Sequence, residues 1–199
     1  MNTSQAMTND LFSPFMQNGR MDARLLRALG IPAGDYEGHF EKVLDAAESS
    51  AFDFYLEGKS GRRYFFDAKL SETVFGSCTD DDRSREKLER HYRPHLHERV
   101  DAKWLAPAAF FAHCEVLGHL SYLGRYAESG VVFIFPKANA GLMKAEETIK
   151  QIVSKTLAPR VAILYLEYLV GRILEGVEED ATLRAHFLRF LVTHVVRAE

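Results

Sequence analysis

The chain has 199 residues, of which 47% are hydrophobic, and this is enough apolar material for one core of ordinary size. Its 25 Lys and Arg nearly balance 28 Asp and Glu, so the formal net charge of −3 excludes a histone-like polycation and an acidic disordered chain. Nucleic-acid binding stays open, because a local basic groove can lie on a nearly neutral protein.

Helical and β-like segments alternate along the chain, and we expect them to form a single domain over residues 1–199. The clearest strand is 131–135, which is continuous, rich in β-branched and aromatic residues and bounded by Gly130 and Pro136. The segment 161–166 is predicted as a strand, although its length also permits a helix. In chain order, the predicted elements are helical stretches at 10–16 and 22–29, strands at 39–44, 51–56 and 63–70, a broken helical segment at 80–126, a strand at 131–135, a helix at 143–156, a strand at 161–166 and a helix at 181–197. This order predicts an α/β sandwich, in which helices cover a mixed sheet.

The segment 51–70 predicts a β-hairpin, since Gly58 and Gly61 mark a turn between two β-like runs. Successive strand residues point to opposite faces, so the apolar faces of the two runs coincide only when paired residue numbers have an even sum. We expect one shared apolar face, made of Phe52, Phe54 and Leu56 from the first run and Tyr64, Phe66, Ala68 and Leu70 from the second.

A register with a pair sum of 120 places Phe54 opposite Phe66 and Asp53 opposite Asp67. Directly opposed Cβ atoms lie roughly 4.5–5.5 Å apart, and two carboxylates that close repel each other unless a cation compensates them. Lys69 is one compensating charge, and a hard divalent cation would be a better one. A solvated strand face is the alternative interpretation. Asp is disfavoured inside strands, however, and these two lie among Phe residues, which favours a functional site.

Asp53, followed by Asp67-Ala68-Lys69 at a strand end, resembles the PD-(D/E)XK nuclease superfamily. Phe52 stands in place of the Pro of the motif, and the second acid is Asp rather than the commoner Glu. Within the superfamily, a small prokaryotic restriction-endonuclease-like family is similar to this chain at 4–6, 9–12, 52–56, 66–72, 75–78 and 133–139. The resemblance implies a restriction-endonuclease-like three-layer sandwich, with an α-β-β-β-α-β core at about 4–139 and a C-terminal strand and helices at 140–199.

The resemblance also implies a metal-dependent nuclease that hydrolyses phosphodiester bonds in DNA, in restriction, repair or defence. Asp53 and Asp67 would hold Mg²⁺, for which Mn²⁺ could substitute, and the backbone carbonyl of Ala68 would be a further ligand. Lys69 would orient or deprotonate the attacking water and offset phosphate charge. An additional acid often completes such sites, and the candidates are Glu41, Glu48 and Glu72.

Other interpretations stay open at this stage. The domain could keep the nuclease fold without catalysis and serve as a nucleic-acid or protein-binding module, or the hairpin match could be accidental in an unrelated α/β interaction protein. The expected partner is DNA, with a homodimer and an unknown accessory protein as open alternatives. His91, His95 and His97 are interpreted as solvated or phosphate-contacting residues rather than zinc ligands, because Pro94 interrupts their helix.

The two cysteines, Cys78 and Cys114, are too few for a disulfide framework or a Cys-based zinc site. We expect them to be small, buried or half-buried residues of a protein from a reducing compartment. The N-terminus lacks the pattern of a secretory signal, and the longest apolar stretches, near 161–170 and 187–196, are too short and interrupted to span a bilayer of ~30 Å. A cytoplasmic protein without a membrane segment is therefore expected.

Overall fold

Seven strands form one mixed sheet in which each strand pairs with its neighbours in sequence. The computed structural model describes residues 3–44 and 51–195. The first five strands are antiparallel, whereas the last three run parallel to one another. The strands are β1 Met16–Gln17, β2 Arg20–Met21, β3 Tyr36–Val43, β4 Ala51–Gly58, β5 Arg63–Ala68, β6 Ser129–Phe135 and β7 Val161–Tyr165.

Helices cover both faces of this sheet, which gives the predicted three-layer α/β sandwich. The α-helices of the described residues are α1 Thr3–Phe12, α2 Ala23–Leu29, α3 Asp82–Lys87, α4 Arg93–Leu96, α5 Pro107–Ala112, α6 Cys114–Arg125, α7 Ala140–Ile152, α8 Leu166–Gly176 and α9 Ala181–Phe190. The first, second, eighth and ninth helices bury apolar residues on one face, and the fourth to the seventh do so on the other. No helix in the described ranges has the length and apolar character needed to cross a bilayer.

The fully buried strand β6 is the centre of the parallel part of the sheet. All seven of its residues are buried, because it lies between β5 and β7 and has helices on both faces. The prediction of a strand at 131–135 is confirmed, and the strand 161–166 is confirmed over Val161–Tyr165. The helix that begins at Leu166 was not predicted, because its apolar residues continue the strand pattern without a break.

The predicted helical segment 80–126 is divided into several pieces. Its two internal prolines occupy the first turns of α4 and α5, where the missing N–H of proline costs no helical hydrogen bond. The π-helical turn Leu88–Tyr92 joins α3 to α4, and the 3-10 turn Ala102–Leu105 lies between α4 and α5. Proline in this segment therefore starts new helices rather than kinking one long helix.

The predicted register of the central hairpin is confirmed up to the Phe54–Phe66 pair, but the predicted pair of Asp53 with Asp67 is not part of the ladder. Phe54 pairs with Phe66 and Glu57 pairs with Arg63, so the paired residue numbers sum to 120. Phe54, Leu56, Phe66 and Ala68 all belong to the core beneath α1 and α2. The apolar faces thus coincide as the alternation requires.

Phe52 is the exception, because the expectation that it shares a face with Phe54 is wrong. Its ring packs 4.8 Å from Phe65 and 4.9 Å from Tyr122, between centroids, on the α6 side of the sheet. On β3, Glu41 has a φ of +49°. The β3–β4 ladder pairs Phe40 with Phe54 and Lys42 with Phe52, but it does not pair Glu41 with Asp53, which lie between them. We attribute the loss of alternation to this local distortion.

The two cysteines are joined as a disulfide, although they were expected to be small, buried or half-buried residues in a reducing compartment. Cys114 is buried, as expected, whereas Cys78 is exposed. Cys78 and Cys114 have a Cα–Cα distance of 5.8 Å. They are 36 residues apart in sequence, and the fold brings them together because the loop after β5 runs along α5, where the Cys78 amide donates a hydrogen bond of 2.9 Å to the Phe111 carbonyl. The disulfide fastens this loop to the start of α6. Because disulfides are rare in reducing compartments, the cysteines no longer support the expectation of such a compartment.

Candidate active site

The candidate site lies where β4 and β5 stop pairing. Their ladder ends at Phe54 and Phe66, one position before the two acids, while β5 continues to pair with β6 through Asp67 and Ala68. In place of a ladder pair, the Ala68 amide donates a hydrogen bond of 2.7 Å to Oδ2 of Asp53. The separating strands therefore bring both carboxylates to one end of the hairpin.

Asp67 is the most deeply buried acid of the group, with 2% of its surface exposed. Its Oδ1 lies 3.1 Å from Nζ of Lys69, and its Oδ2 lies 3.2 Å from Nδ1 of His119. Neither Oδ2 of Asp67 nor Nδ1 of His119 takes part in an aligned hydrogen bond within the described residues. One carboxylate oxygen is thus buried beside a ring nitrogen without full hydrogen-bond satisfaction.

Lys69 bridges two acids from different elements. Its Nζ lies 2.7 Å from Oε1 of Glu115, on the first turn of α6, as well as 3.1 Å from Asp67. The main chain of Lys69 is fixed by a hydrogen bond of 2.9 Å from its amide to the Ile134 carbonyl on β6. The side chain is only 14% exposed, so these contacts lie largely out of water.

The three charged residues have different pKa shifts. Burial, with the neighbouring charge of Asp67, raises the pKa of Asp53 to about 7. Burial also acts to raise the pKa of Asp67, but contact with the His119 ring and the Lys69 ammonium outweighs it and lowers that pKa to about 2. Burial disfavours the charged form of Lys69, yet Asp67 and Glu115 outweigh that effect and raise its pKa. Asp53 therefore holds a proton up to about neutral pH, beside an ionised Asp67 and a charged Lys69.

The donor set suits a hard cation such as Mg²⁺. It consists of the Asp53 and Asp67 carboxylates and the backbone carbonyl of Ala68, all of which are oxygen donors, and Mg²⁺ usually keeps several waters in addition. The buried Oδ2 of Asp67, which lacks an aligned hydrogen-bond donor, is the atom that a cation would satisfy best. Within 3–44 and 51–195, no three His, Cys, Asp or Glu side chains are grouped as a metal site, so a cation here would depend on two carboxylates.

The three candidate additional acids have different positions. The Glu72 carboxylate accepts hydrogen bonds from Ser4 Oγ at 2.7 Å and from the Leu70 amide at 2.9 Å, so it fastens α1 to the end of β5. Glu41, on β3, accepts a hydrogen bond from Gln5 Nε2. Glu48 lies outside the described residues. Both described acids are therefore held by the first turn of α1.

Glu115 and His119 were not predicted as site residues from the sequence. They are four residues apart on α6, so they occupy one face of the helix, where one contacts Lys69 and the other contacts Asp67. An acid and a histidine at this spacing occur on many helices. Nothing in their local sequence shows that α6 crosses over the end of β5.

The segment that holds His91, His95 and His97 also carries several basic residues. Within the described ranges, no three His, Cys, Asp or Glu side chains are grouped as a metal site, in this segment or elsewhere. Arg85, Arg90 and Arg93 form ion pairs with Asp80, Glu86 and Glu89. These contacts favour a salt-bridged surface for this segment.

Residues 1–191 match the protein family described as restriction endonuclease associating with ARP. The match covers both sheet-covering helix layers and all seven strands. No curated protein and no solved structure matches the chain.

Proposed function

The chain belongs to this restriction-endonuclease family, and we propose that it is a metal-dependent nuclease of the PD-(D/E)XK type that hydrolyses phosphodiester bonds in DNA. One observation carries the proposal: Asp53, Asp67 and Lys69 meet where β4 separates from β5. Two acids and a lysine at a strand end provide the charges that phosphodiester hydrolysis needs.

Asp53 and Asp67, with the Ala68 carbonyl, are the residues that would hold Mg²⁺ or Mn²⁺. A cation held by these residues would lower the pKa of a water molecule and would neutralise charge that develops on the phosphate. Asp53 must give up its proton to become a ligand, whereas Asp67 is already ionised at neutral pH. The Ala68 amide, which donates to Oδ2 of Asp53, keeps that carboxylate turned toward β5.

Lys69 acts as a cation in this proposal. Its contacts with Asp67 and Glu115 favour the ammonium form, so we assign it the orientation of the attacking water and the stabilisation of phosphate charge rather than removal of a proton. His119 contacts the Asp67 oxygen that Lys69 does not contact. It therefore limits the rotation of that carboxylate.

A protein partner is part of the proposal because the family description names an association with ARP. The same description also fits a second candidate function, in which the domain binds DNA or protein without cleaving DNA. The intact set of Asp53, Asp67 and Lys69 favours catalysis, since loss of activity in a nuclease fold usually removes one of these charges.

The test is a cleavage assay on single- and double-stranded DNA with Mg²⁺, with Mn²⁺ and with a chelator. The variants are Lys69→Ala and, as a matched control, Lys59→Ala, because Lys59 lies at the turn of the same hairpin and pairs with Asp35. We expect cleavage only with a divalent cation, loss of cleavage in Lys69→Ala and full activity in Lys59→Ala. Cleavage by Lys69→Ala at the rate of the unmodified protein would contradict the proposal.

A further inference from the structure

Glu115 has both carboxylate oxygens engaged at the candidate site. Oε1 lies 2.7 Å from Nζ of Lys69, and Oε2 accepts a hydrogen bond from the Gly76 amide. The Glu115 amide in turn donates a hydrogen bond of 3.3 Å to the Gly76 carbonyl. The Glu115 side chain is thus held by the loop after β5, while it holds the lysine that directly follows β5.

The surroundings of Glu115 fix its backbone as well. It is in the first turn of the twelve-residue helix α6, where the helix dipole favours a negative charge. Its neighbour Cys114 is bonded to Cys78, two residues beyond Gly76. Loop and helix are therefore joined covalently beside the carboxylate, which limits how far Glu115 can move away from Lys69.

Lys69 needs such a partner because its ammonium group is carried by a long, flexible side chain. In the structure it has two anionic partners, Asp67 at 3.1 Å and Glu115 at 2.7 Å. Under the proposed function, Asp67 would share its charge with a cation, which would weaken its attraction for the ammonium group. Glu115 is then the carboxylate that still holds Lys69.

We propose that Glu115 is the positioning residue for Lys69, fixing its ammonium group at the site through an ion pair that does not involve the metal ligands. The positioning itself is inferred from the Lys69–Glu115 contact alone. Its effect on catalysis rests on the proposed function. Glu115 acts through Lys69, so it is not a catalytic residue.

The chain offers two independent ways to disturb this contact. Glu115→Gln removes the charge and keeps the shape, whereas Glu115→Asp keeps the charge on a shorter side chain. Gly76→Ala leaves the charge and the length of the Glu115 side chain unchanged. A Cβ at position 76 would lie 3.0 Å from Oε2 of Glu115, however, so the carboxylate must shift. Glu147→Gln, an exposed acid on α7, is the matched control.

The first measurement needs no activity. In the metal-free protein, an ammonium group held by an ion pair gives a resolved ¹⁵Nζ–¹H NMR signal. The signal of Lys69 is the one that is absent from the spectrum of the Lys69→Arg variant. We expect this signal in the unmodified protein and in Glu147→Gln, a weaker signal in Gly76→Ala and Glu115→Asp, and the weakest signal in Glu115→Gln, in which Asp67 is the remaining anionic partner of the ammonium group. The backbone amide spectrum of each variant shows whether it is folded. A Lys69 signal that persists at full intensity in Glu115→Gln, or that is absent from the unmodified protein, overturns the proposal.

The second measurement is the kinetics of DNA cleavage. Glu115→Gln is expected to lower kcat by roughly 10²-fold, the cost of a misplaced reacting group, and to leave KM for DNA and the half-saturating Mg²⁺ concentration unchanged. Glu115→Asp should recover part of this loss. An unchanged kcat in Glu115→Gln overturns the proposal. If the unmodified protein cuts no DNA, the proposed function fails, and the ammonium signal alone decides whether Glu115 holds Lys69.

Discussion

The Ala68 amide donates a 2.7 Å hydrogen bond to Oδ2 of Asp53, across the point where β4 and β5 no longer pair. This bond replaces the ladder hydrogen bonds that a continued hairpin would have provided. It also points the Asp53 carboxylate, on β4, toward the backbone of Ala68, which directly precedes Lys69. The site is therefore a consequence of strand separation as much as of residue type.

The two acids should respond differently to removal of their charge. Asp67→Asn and Asp53→Asn are both expected to abolish cation-dependent cleavage, because Mg²⁺ binds neutral ligands poorly. In metal-free buffer at pH 6, Asp67→Asn should lower the free energy of unfolding by about 1–3 kcal/mol, since it leaves buried partners of a charged group unsatisfied. Asp53→Asn should change it little, because Asp53 is already protonated there. Urea unfolding and cleavage assays on both variants check this. Equal loss of stability in the two variants would argue against a protonated Asp53 beside an ionised Asp67.

Titration of Asp53 should make the free energy of unfolding depend on pH. Its pKa is about 7 in the folded protein and near 3.8 when unfolded, so between these values the folded state binds more protons. This contribution to stability is therefore fully present below pH 4 and is lost as the pH rises through 7. Carboxyl ¹³C NMR titration, together with urea unfolding of the unmodified protein and Asp53→Asn at pH 5 and pH 8, measures it. An Asp53 signal that titrates near pH 4 would contradict the shared site.

The Cys78–Cys114 bond should contribute measurably to stability. Closing a loop of 36 residues is expected to stabilise the fold by about 3–4 kcal/mol through the entropy of the unfolded chain. A dithiol reductant should therefore lower the urea midpoint of the unmodified protein and leave that of the Cys78→Ser/Cys114→Ser protein unchanged. Alkylation of both cysteines in denatured, unreduced protein would show that the bond is absent.

The part of the site carried by the hairpin could be predicted because it depends on local rules. The even register brings Asp53, Asp67 and Lys69 to the same end of the hairpin without any knowledge of the rest of the fold. The prediction failed at Phe52, because a positive φ at Glu41 on the neighbouring strand disturbs the alternation.

The contribution of α6 could not be predicted from the sequence. Glu115 is 46 residues from Lys69, and the contact between them depends on how a divided helical segment crosses the sheet. The same long-range packing brings Cys78 to Cys114, although each cysteine alone has no partner in its local sequence. Alternation and helical periodicity describe one element at a time, so such contacts lie beyond them.

Binding of Mn²⁺ is the most direct test of the claim that Asp53 and Asp67 together hold a divalent cation. Electron paramagnetic resonance would count the bound ions per chain in the unmodified protein, in Asp53→Asn and Asp67→Asn, and in Glu57→Gln. Glu57 is the control because it lies on β4 with Asp53 but pairs with Arg63 at the other end of the hairpin. We predict at least one bound ion in the unmodified protein and in Glu57→Gln, and a reduced affinity in each Asp variant. Binding by Asp67→Asn with the affinity of the unmodified protein would contradict this account of the site.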